Sequence, residues 1–190
     1  MIDTTFLTED ITTKKEGHME LTDVTVEAVR SVYDIIQPKR ILEIGFNAGH
    51  SAVLALELLP EVKVSSIDIG RHKYTKVNAD KVIQKYGSRF KFTVQDSKEL
   101  DATKVKGRYD TIFIDGDHSI EGLTSDLKFA NSAEIGYIIV DDYHPKWFQS
   151  VIDLVDHYEN KQSFPYERIC TFDYDSRDGI NTAILLKRVK

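Results

Sequence analysis

The chain predicts an α/β fold, an open and mostly parallel sheet with helices on both faces. Three observations predict it. From residue 22 onward, short apolar runs alternate with helical stretches, the pattern of successive βαβ units. Ile112–Ile114 and Ile138–Val140 are continuously apolar, and Ile41–Ile44 is broken only by Glu43, as suits strands covered on both faces. The segment Ile41–Ser51, I-L-E-I-G-F-N-A-G-H-S, leads from such a strand through a turn bracketed by Gly45 and Gly49 into an alanine-rich helical run. That order aims backbone N–H groups and a helix start at a nucleotide-like ligand.

The elements follow in order. Val26, Val29, Val32 or Tyr33, and Ile36 share one helical face, with Thr22 or Asp23 as cap and Pro38 as stop. Arg40–Ile44 is a strand, and Ser51–Leu59 a helix ended by Pro60. Val62–Ile67 is a strand rich in β-branched residues. Arg71–Tyr86 is a helix closed by Gly87. Phe90–Val94 and Asp110–Ile114 are strands. Ile120–Asn131 is a helix with Leu123, Leu127 and Ala130 inward. Tyr137–Val140 is a strand and Lys146–Tyr158 a helix. The chain then changes character: Tyr166–Phe172 and Thr182–Leu186 are strands with no helix between them, an antiparallel hairpin added to a parallel sheet. Residues 1–20 read as an arm or lid, and 21–190 as a single domain.

Composition excludes several classes. At 41% hydrophobic the chain has material for a packed core and is not a disordered segment. A net charge of −6 argues against a nucleic-acid partner. No apolar run approaches the ~20 residues that span a bilayer, and the first ten residues are too polar for a signal peptide. Cys170 is the only cysteine, which rules out an intrachain disulfide and a cysteine-built zinc site. A cytoplasmic setting is the expectation.

The glycine turn has two readings. A dinucleotide site wants G-x-G-x-x-G, and Gly45 and Gly49 stand in G-x-x-x-G instead. A methyl-donor site wants an acid two residues before the first glycine, which is Glu43, and tolerates Asn47 in place of a middle glycine because Asn adopts positive φ more readily than most residues. Asp68 ends the next strand, where a carboxylate can accept both hydroxyls of a ribose. Gln95-Asp96-Ser97 closes the third, where an acid and a small residue can meet an adenine edge.

Together, E-I-G-F-N-A-G-H-S, S-I-D, V-Q-D-S and F-I-D-G-D-H resemble the class I S-adenosylmethionine-dependent methyltransferases. Within them the chain is most similar to metal-dependent O-methyltransferases of the catechol type and to D-G-D-H relatives that methylate sugars and natural-product hydroxyls. The resemblance covers roughly Gly17 to the C-terminus. It implies a Rossmann-like, doubly wound seven-stranded sheet whose last strand is antiparallel. It implies that Glu43, Gly45, Asn47, Gly49, His50 and Ser51 form the methionine side of the cofactor site, that Asp68 binds the ribose, and that Asp96 and Ser97 meet the adenine. Gly17-His18-Met19 would touch the methionine part as well.

The fourth and fifth strands end in D-G-D-H and D-D-Y-H. Carboxylates converging at adjacent strand ends suit a hard cation such as Mg²⁺, Mn²⁺ or Ca²⁺. The resemblance makes Asp115, Asp141 and Asp142 its ligands, with Asp115 also beside the cofactor and in the catalytic machinery. Where catechol-type enzymes carry a lysine base, this chain has His118, whose ordinary pKa suits proton transfer near neutral pH. His144 is a competing base, and Tyr143 and Trp147 are candidate walls of the acceptor pocket. The function expected is methyl transfer from S-adenosylmethionine to a hydroxyl of a small molecule or sugar, assisted by a divalent cation. The alternatives are a metal-independent methyltransferase of another acceptor, a non-catalytic S-adenosylmethionine-binding protein, an NAD dehydrogenase and a transferase using a related sulfonium donor. The acceptor, and whether the chain forms a homo-oligomer, are not legible.

Overall fold

A computed structural model describes residues 2–7, 19–146, 148–161 and 163–189. Its order is α1 (Asp23–Ile36), β1 (Arg40–Ile44), α2 (His50–Leu58), β2 (Lys63–Asp68), α3 (Lys73–Tyr86), β3 (Phe90–Val94), α4 (Ala102–Val105), β4 (Thr111–Ile114), α5 (Ile120–Ser132), β5 (Tyr137–Val140), α6 (Gln149–Glu159), β6 (Tyr166–Ser176) and β7 (Gly179–Arg188). The seven strands form one sheet in the order β3-β2-β1-β4-β5-β7-β6. The first five are parallel; β7 runs antiparallel to β5 and to β6.

Each face of the sheet buries its own core. Ile41 and Phe113 pack with Val29 and Val32 of α1, Val53 and Leu56 of α2, and Ala79 and Val82 of α3. Leu42, Ile44 and Ile112 pack with Leu123 and Leu127 of α5 and with Val151 and Val155 of α6. Side chains on a strand alternate faces, so Glu43 and Asp115 follow Ile41 and Phe113 onto the α1–α3 side. α1 starts at Thr22, whose Oγ1 accepts from the Thr25 N–H (3.2 Å), and ends at Gln37 in the left-handed region just before Pro38. Strand order reverses between β1 and β4, so a crevice opens beyond their carboxyl ends.

Some boundaries differ from the expected ones. α6 begins at Gln149 rather than Lys146, because Phe148 N–H bonds back to the His144 carbonyl in a separate turn. α3 begins at Lys73, two residues late. The terminal hairpin is longer than expected: β6 continues to Ser176 and β7 starts at Gly179, so Arg177-Asp178 alone join them. Tyr174 and Asn181, read as loop, are paired across the two strands and buried. Among the described residues no helix is long and apolar enough to cross a membrane.

Candidate functional site

The crevice is a cavity of about 790 Å³ at the carboxyl ends of the parallel strands, a size suited to a nucleotide-like ligand and a small partner. One end is built on the glycine turn. Gly45 has φ +92°, and a Cβ there would stand 1.9 Å from the Asp115 carbonyl oxygen. Only glycine lets β1 leave the sheet in such close contact with the end of β4. Gly49, at φ +94°, leaves room for the Phe46 ring, which a Cβ would meet at 2.5 Å. Asn47 occupies the left-handed region (φ +47°), and its Oδ1 accepts from the Tyr74 hydroxyl (2.7 Å).

Asp68 fixes this turn. Its Oδ2 accepts from the N–H groups of Phe46 (3.0 Å) and Asn47 (2.9 Å), and its Oδ1 from Gly70 N–H (2.6 Å). Asp96 and Ser97 line the far end of the cavity; Asp96 Oδ1 also accepts from Lys98 N–H (2.9 Å). Glu43, Gly49, His50 and Ser51 do not face the cavity but stand behind its wall. The Glu43 carboxylate is buried on the α2 side, accepting from Ser51 Oγ (2.5 Å) and from Ser66 Oγ. Burial pushes its pKa up to about 7 against the pull of the two serines, with the charges of Asp115 and Asp68 adding to the rise.

At the other end, β4 and β5 deliver Asp115, Asp141 and Asp142 together with His118. His118 Nε2 lies 3.5 Å from Asp115 Oδ1 and 3.2 Å from Asp142 Oδ2. The Nε2 atom is buried and faces both carboxylates, although neither contact has the alignment of a full hydrogen bond. Burial opposes charge on this imidazole, yet Asp115, Asp142 and Asp141 outweigh it and push the pKa up to about 9. Burial also raises Asp115, with His118 opposing and Asp142 and Asp68 reinforcing. Asp141 rises well above the ordinary carboxylate range through burial and the repulsion of Asp115 and Asp142. Donor atoms of Asp115, His118 and Asp142 lie within 4.8 Å of one another, close enough to share one ion. Asp141 is adjacent, with Oδ1 occupied by the Tyr174 hydroxyl (2.5 Å) and Asp142 N–H (2.8 Å). Crowded carboxylates fit a divalent cation, with the His118 imidazole beside them.

Other expected residues lie elsewhere. His144 Nδ1 accepts from Lys146 N–H (3.3 Å) and does not face the cavity. Tyr143 donates to Asp156 Oδ1 on α6 (2.7 Å). Gly17, His18 and Trp147 fall outside the described residues, while Met19 lines the cavity. The α5 cap is Ser119, whose Oγ accepts from Gly122 N–H (3.1 Å). Phe148, Tyr174 and Asn181 also line the cavity, and sequence reasoning passed over them. Their only signal is a polar side chain falling on the buried phase of a strand, or an aromatic one beside a helix start. Aspartates dominate the wall: Asp117 and Asp178 join those already named, against Arg71 and Lys98.

A family model for a methyltransferase domain matches residues 42–143, more than half of the chain, and the chain belongs to that family. It is an S-adenosylmethionine-dependent methyltransferase of the class I fold. Solved structures share that fold at low identity. An SAH-bound methyltransferase from Podospora anserina, PaMTH1, is 16% identical, with a TM-score of 0.67 over 90% of this chain and 80% of that one. The O-methyltransferase TomG from Streptomyces achromogenes, solved with SAM and involved in tomaymycin synthesis, is 16% identical, with a TM-score of 0.65 over 90% and 82%. An O-methyltransferase from Bacillus cereus solved with SAH is also 16% identical, with a TM-score of 0.64 over 90% and 83%.

Proposed function

We propose that this methyltransferase acts on a hydroxyl oxygen of a small molecule or sugar, assisted by a divalent cation. One observation carries the reading: Asp115, Asp142 and His118 converge in the same cavity as the glycine turn. The names of TomG and the Bacillus cereus protein, both O-methyltransferases, agree with it. Residues 21–190 are taken as the catalytic domain and residues 1–20 as an arm; buried Leu7 and cavity-lining Met19 support the arm's packing on the domain.

S-adenosylmethionine supplies a methyl group made electrophilic by its sulfonium. Gly45 and Asn47 receive the methionine part, with Glu43, Gly49, His50 and Ser51 shaping the turn from behind. Asp68, with one acceptor site of Oδ1 left beyond its three backbone bonds, would receive a ribose hydroxyl, and Asp96 and Ser97 the adenine. Asp115, Asp141 and Asp142 are assigned as holders of the cation. A divalent cation there supplies positive charge that lowers the pKa of an acceptor hydroxyl and of the neighbouring imidazole. His118, neutral in that state, takes the hydroxyl proton on Nε2. The chain's part is then to hold oxygen and methyl carbon in line and to keep water out.

The His118 ion pairs favour a second reading. The imidazolium can itself neutralise Asp115 and Asp142, as a metal-independent methyltransferase requires. Three measurements separate the cases. Calorimetry with S-adenosylhomocysteine is expected to show binding, and none at high micromolar concentration defeats the cofactor assignment. EDTA is expected to abolish turnover, and full activity in its presence selects the metal-independent reading. His118→Ala is expected to lower turnover by about 10²-fold or more with cofactor affinity nearly unchanged; unchanged turnover removes His118 as base.

A further inference from the structure

The terminal hairpin reaches into the carboxylate cluster. Tyr174 on β6 and Asn181 on β7 are register partners, and both are at least 95% buried. Asn181 Nδ2 donates to Asp142 Oδ1 (2.5 Å) and to Tyr174 Oη (2.7 Å). Tyr174 Oη in turn donates to Asp141 Oδ1 (2.5 Å). Asn181 Oδ1 accepts from Thr182 N–H (2.9 Å), which fixes the amide's orientation. Every donor and acceptor in this chain has a use, so the arrangement is well determined.

The consequence lies in which oxygens are left. The hairpin engages Oδ1 of both Asp141 and Asp142. The oxygen of Asp142 nearest His118 is Oδ2, at 3.2 Å. Asp141 Oδ1 has both lone pairs taken, by the Tyr174 hydroxyl and Asp142 N–H, and the Asn181 bond turns Asp142 Oδ1 toward the hairpin while Oδ2 faces the centre, so each carboxylate is biased toward presenting one oxygen. Ca²⁺ takes six to eight oxygens and commonly two from one carboxylate, whereas Mg²⁺ demands a small octahedron of single oxygens.

We propose that Tyr174 and Asn181 are positioning residues that hold Asp141 and Asp142 monodentate and so set the cation preference to Mg²⁺ or Mn²⁺ over Ca²⁺. This rests on the cation reading above. Neither residue touches the reacting atoms. Both act through the carboxylates, and the quantity they control is the ratio of affinities rather than binding as such.

The test is calorimetric titration of the full chain, saturated with S-adenosylhomocysteine, with Mg²⁺ and separately with Ca²⁺. It compares wild type, Tyr174→Phe and Asn181→Leu. Wild type is expected to prefer Mg²⁺. Each variant is expected to weaken Mg²⁺ about tenfold or more while Ca²⁺ changes far less, so that the preference shrinks or reverses. An unchanged Mg²⁺/Ca²⁺ ratio in variants that still bind S-adenosylhomocysteine overturns the proposal. Tyr174→Phe removes a single oxygen and is the conservative arm; if one variant fails to fold, the other decides. If both fail, the wild-type ratio decides, and a preference for Ca²⁺ overturns the proposal. A wild type that binds S-adenosylhomocysteine but neither cation defeats the cation reading itself, an outcome distinct from an unchanged ratio.

Discussion

At the scale of single residues, two positions at the β1 turn give separate readouts, one of pH-dependent stability and one of cofactor binding. Glu43 is a carboxyl whose pKa in the folded chain is about 7, above its ordinary value near 4.3. Between those values the folded state holds a proton that the unfolded state has released. Stability from this group is therefore full below the lower value and is lost as pH rises through the upper one. The loss is on the order of 3 kcal/mol. Glu43→Gln should remove that part of the pH dependence, read as midpoints of chemical denaturation from pH 4.5 to 8. A variant with the wild-type slope would show that Glu43 is not the titrating group. The second position is Gly45. Gly45→Ala drives a Cβ into the Asp115 carbonyl at a backbone angle hostile to L-residues. It should cost at least ~2 kcal/mol and abolish S-adenosylhomocysteine binding; a variant with wild-type melting temperature and affinity would contradict the close approach.

At the scale of elements, α1 and the hairpin share one polar joint. Thr22 Oγ1 caps α1 by accepting from Thr25 N–H and donates to Asp175 Oδ2 on β6 (2.6 Å). Thr22→Ala loses both bonds and should cost about 1–2 kcal/mol, a drop of several degrees in melting temperature for a chain of this size. The hairpin also marks the limit of what the sequence discloses. Strand-end acids such as Asp68, Asp96, Asp115 and Asp141 were legible, because βα alternation puts whatever follows an apolar run at the crevice. Ser119 as the α5 cap could have been read from its side-chain type alone. Tyr174 and Asn181 could not be read, because their meaning depends on the β6–β7 register. D-Y-D-S-R-D-G-I-N is polar enough to pass for a loop, and the β6–β7 ladder, with the core under Tyr174 and the carboxylates beside it, makes two of its residues buried strand positions. Likewise, the Phe148–His144 bond that delays α6 has no local signature in the sequence.

At the scale of the molecule, the fold was the most legible part, since the topology follows from alternation plus a helix-free ending. Which predicted acids face the cavity was less so. Glu43 lies on the same face of β1 as Ile41, and that face points beneath the turn instead of into the crevice. Ligand linkage offers a whole-chain prediction. S-adenosylhomocysteine at about 100 times its Kd should stabilise the fold by ~2.7 kcal/mol, visible as a rise in melting temperature. NAD at the same concentration should leave it unchanged, and the opposite pattern would favour a dehydrogenase.

The aspartate-rich wall has a consequence for turnover. S-adenosylmethionine carries one more positive charge than the thioether left after methyl transfer. With Asp115, Asp141 and Asp142 given to the cation, Asp68, Asp96, Asp117 and Asp178 still outnumber Arg71 and Lys98, and that excess would hold the charged donor more firmly than the neutral product. Product departure is thereby assisted by the reaction's own change of charge. Raising ionic strength about tenfold should weaken binding of S-adenosylmethionine distinctly more than that of S-adenosylhomocysteine. Equal salt dependence of the two would mean that the wall's charge is already balanced when the donor arrives.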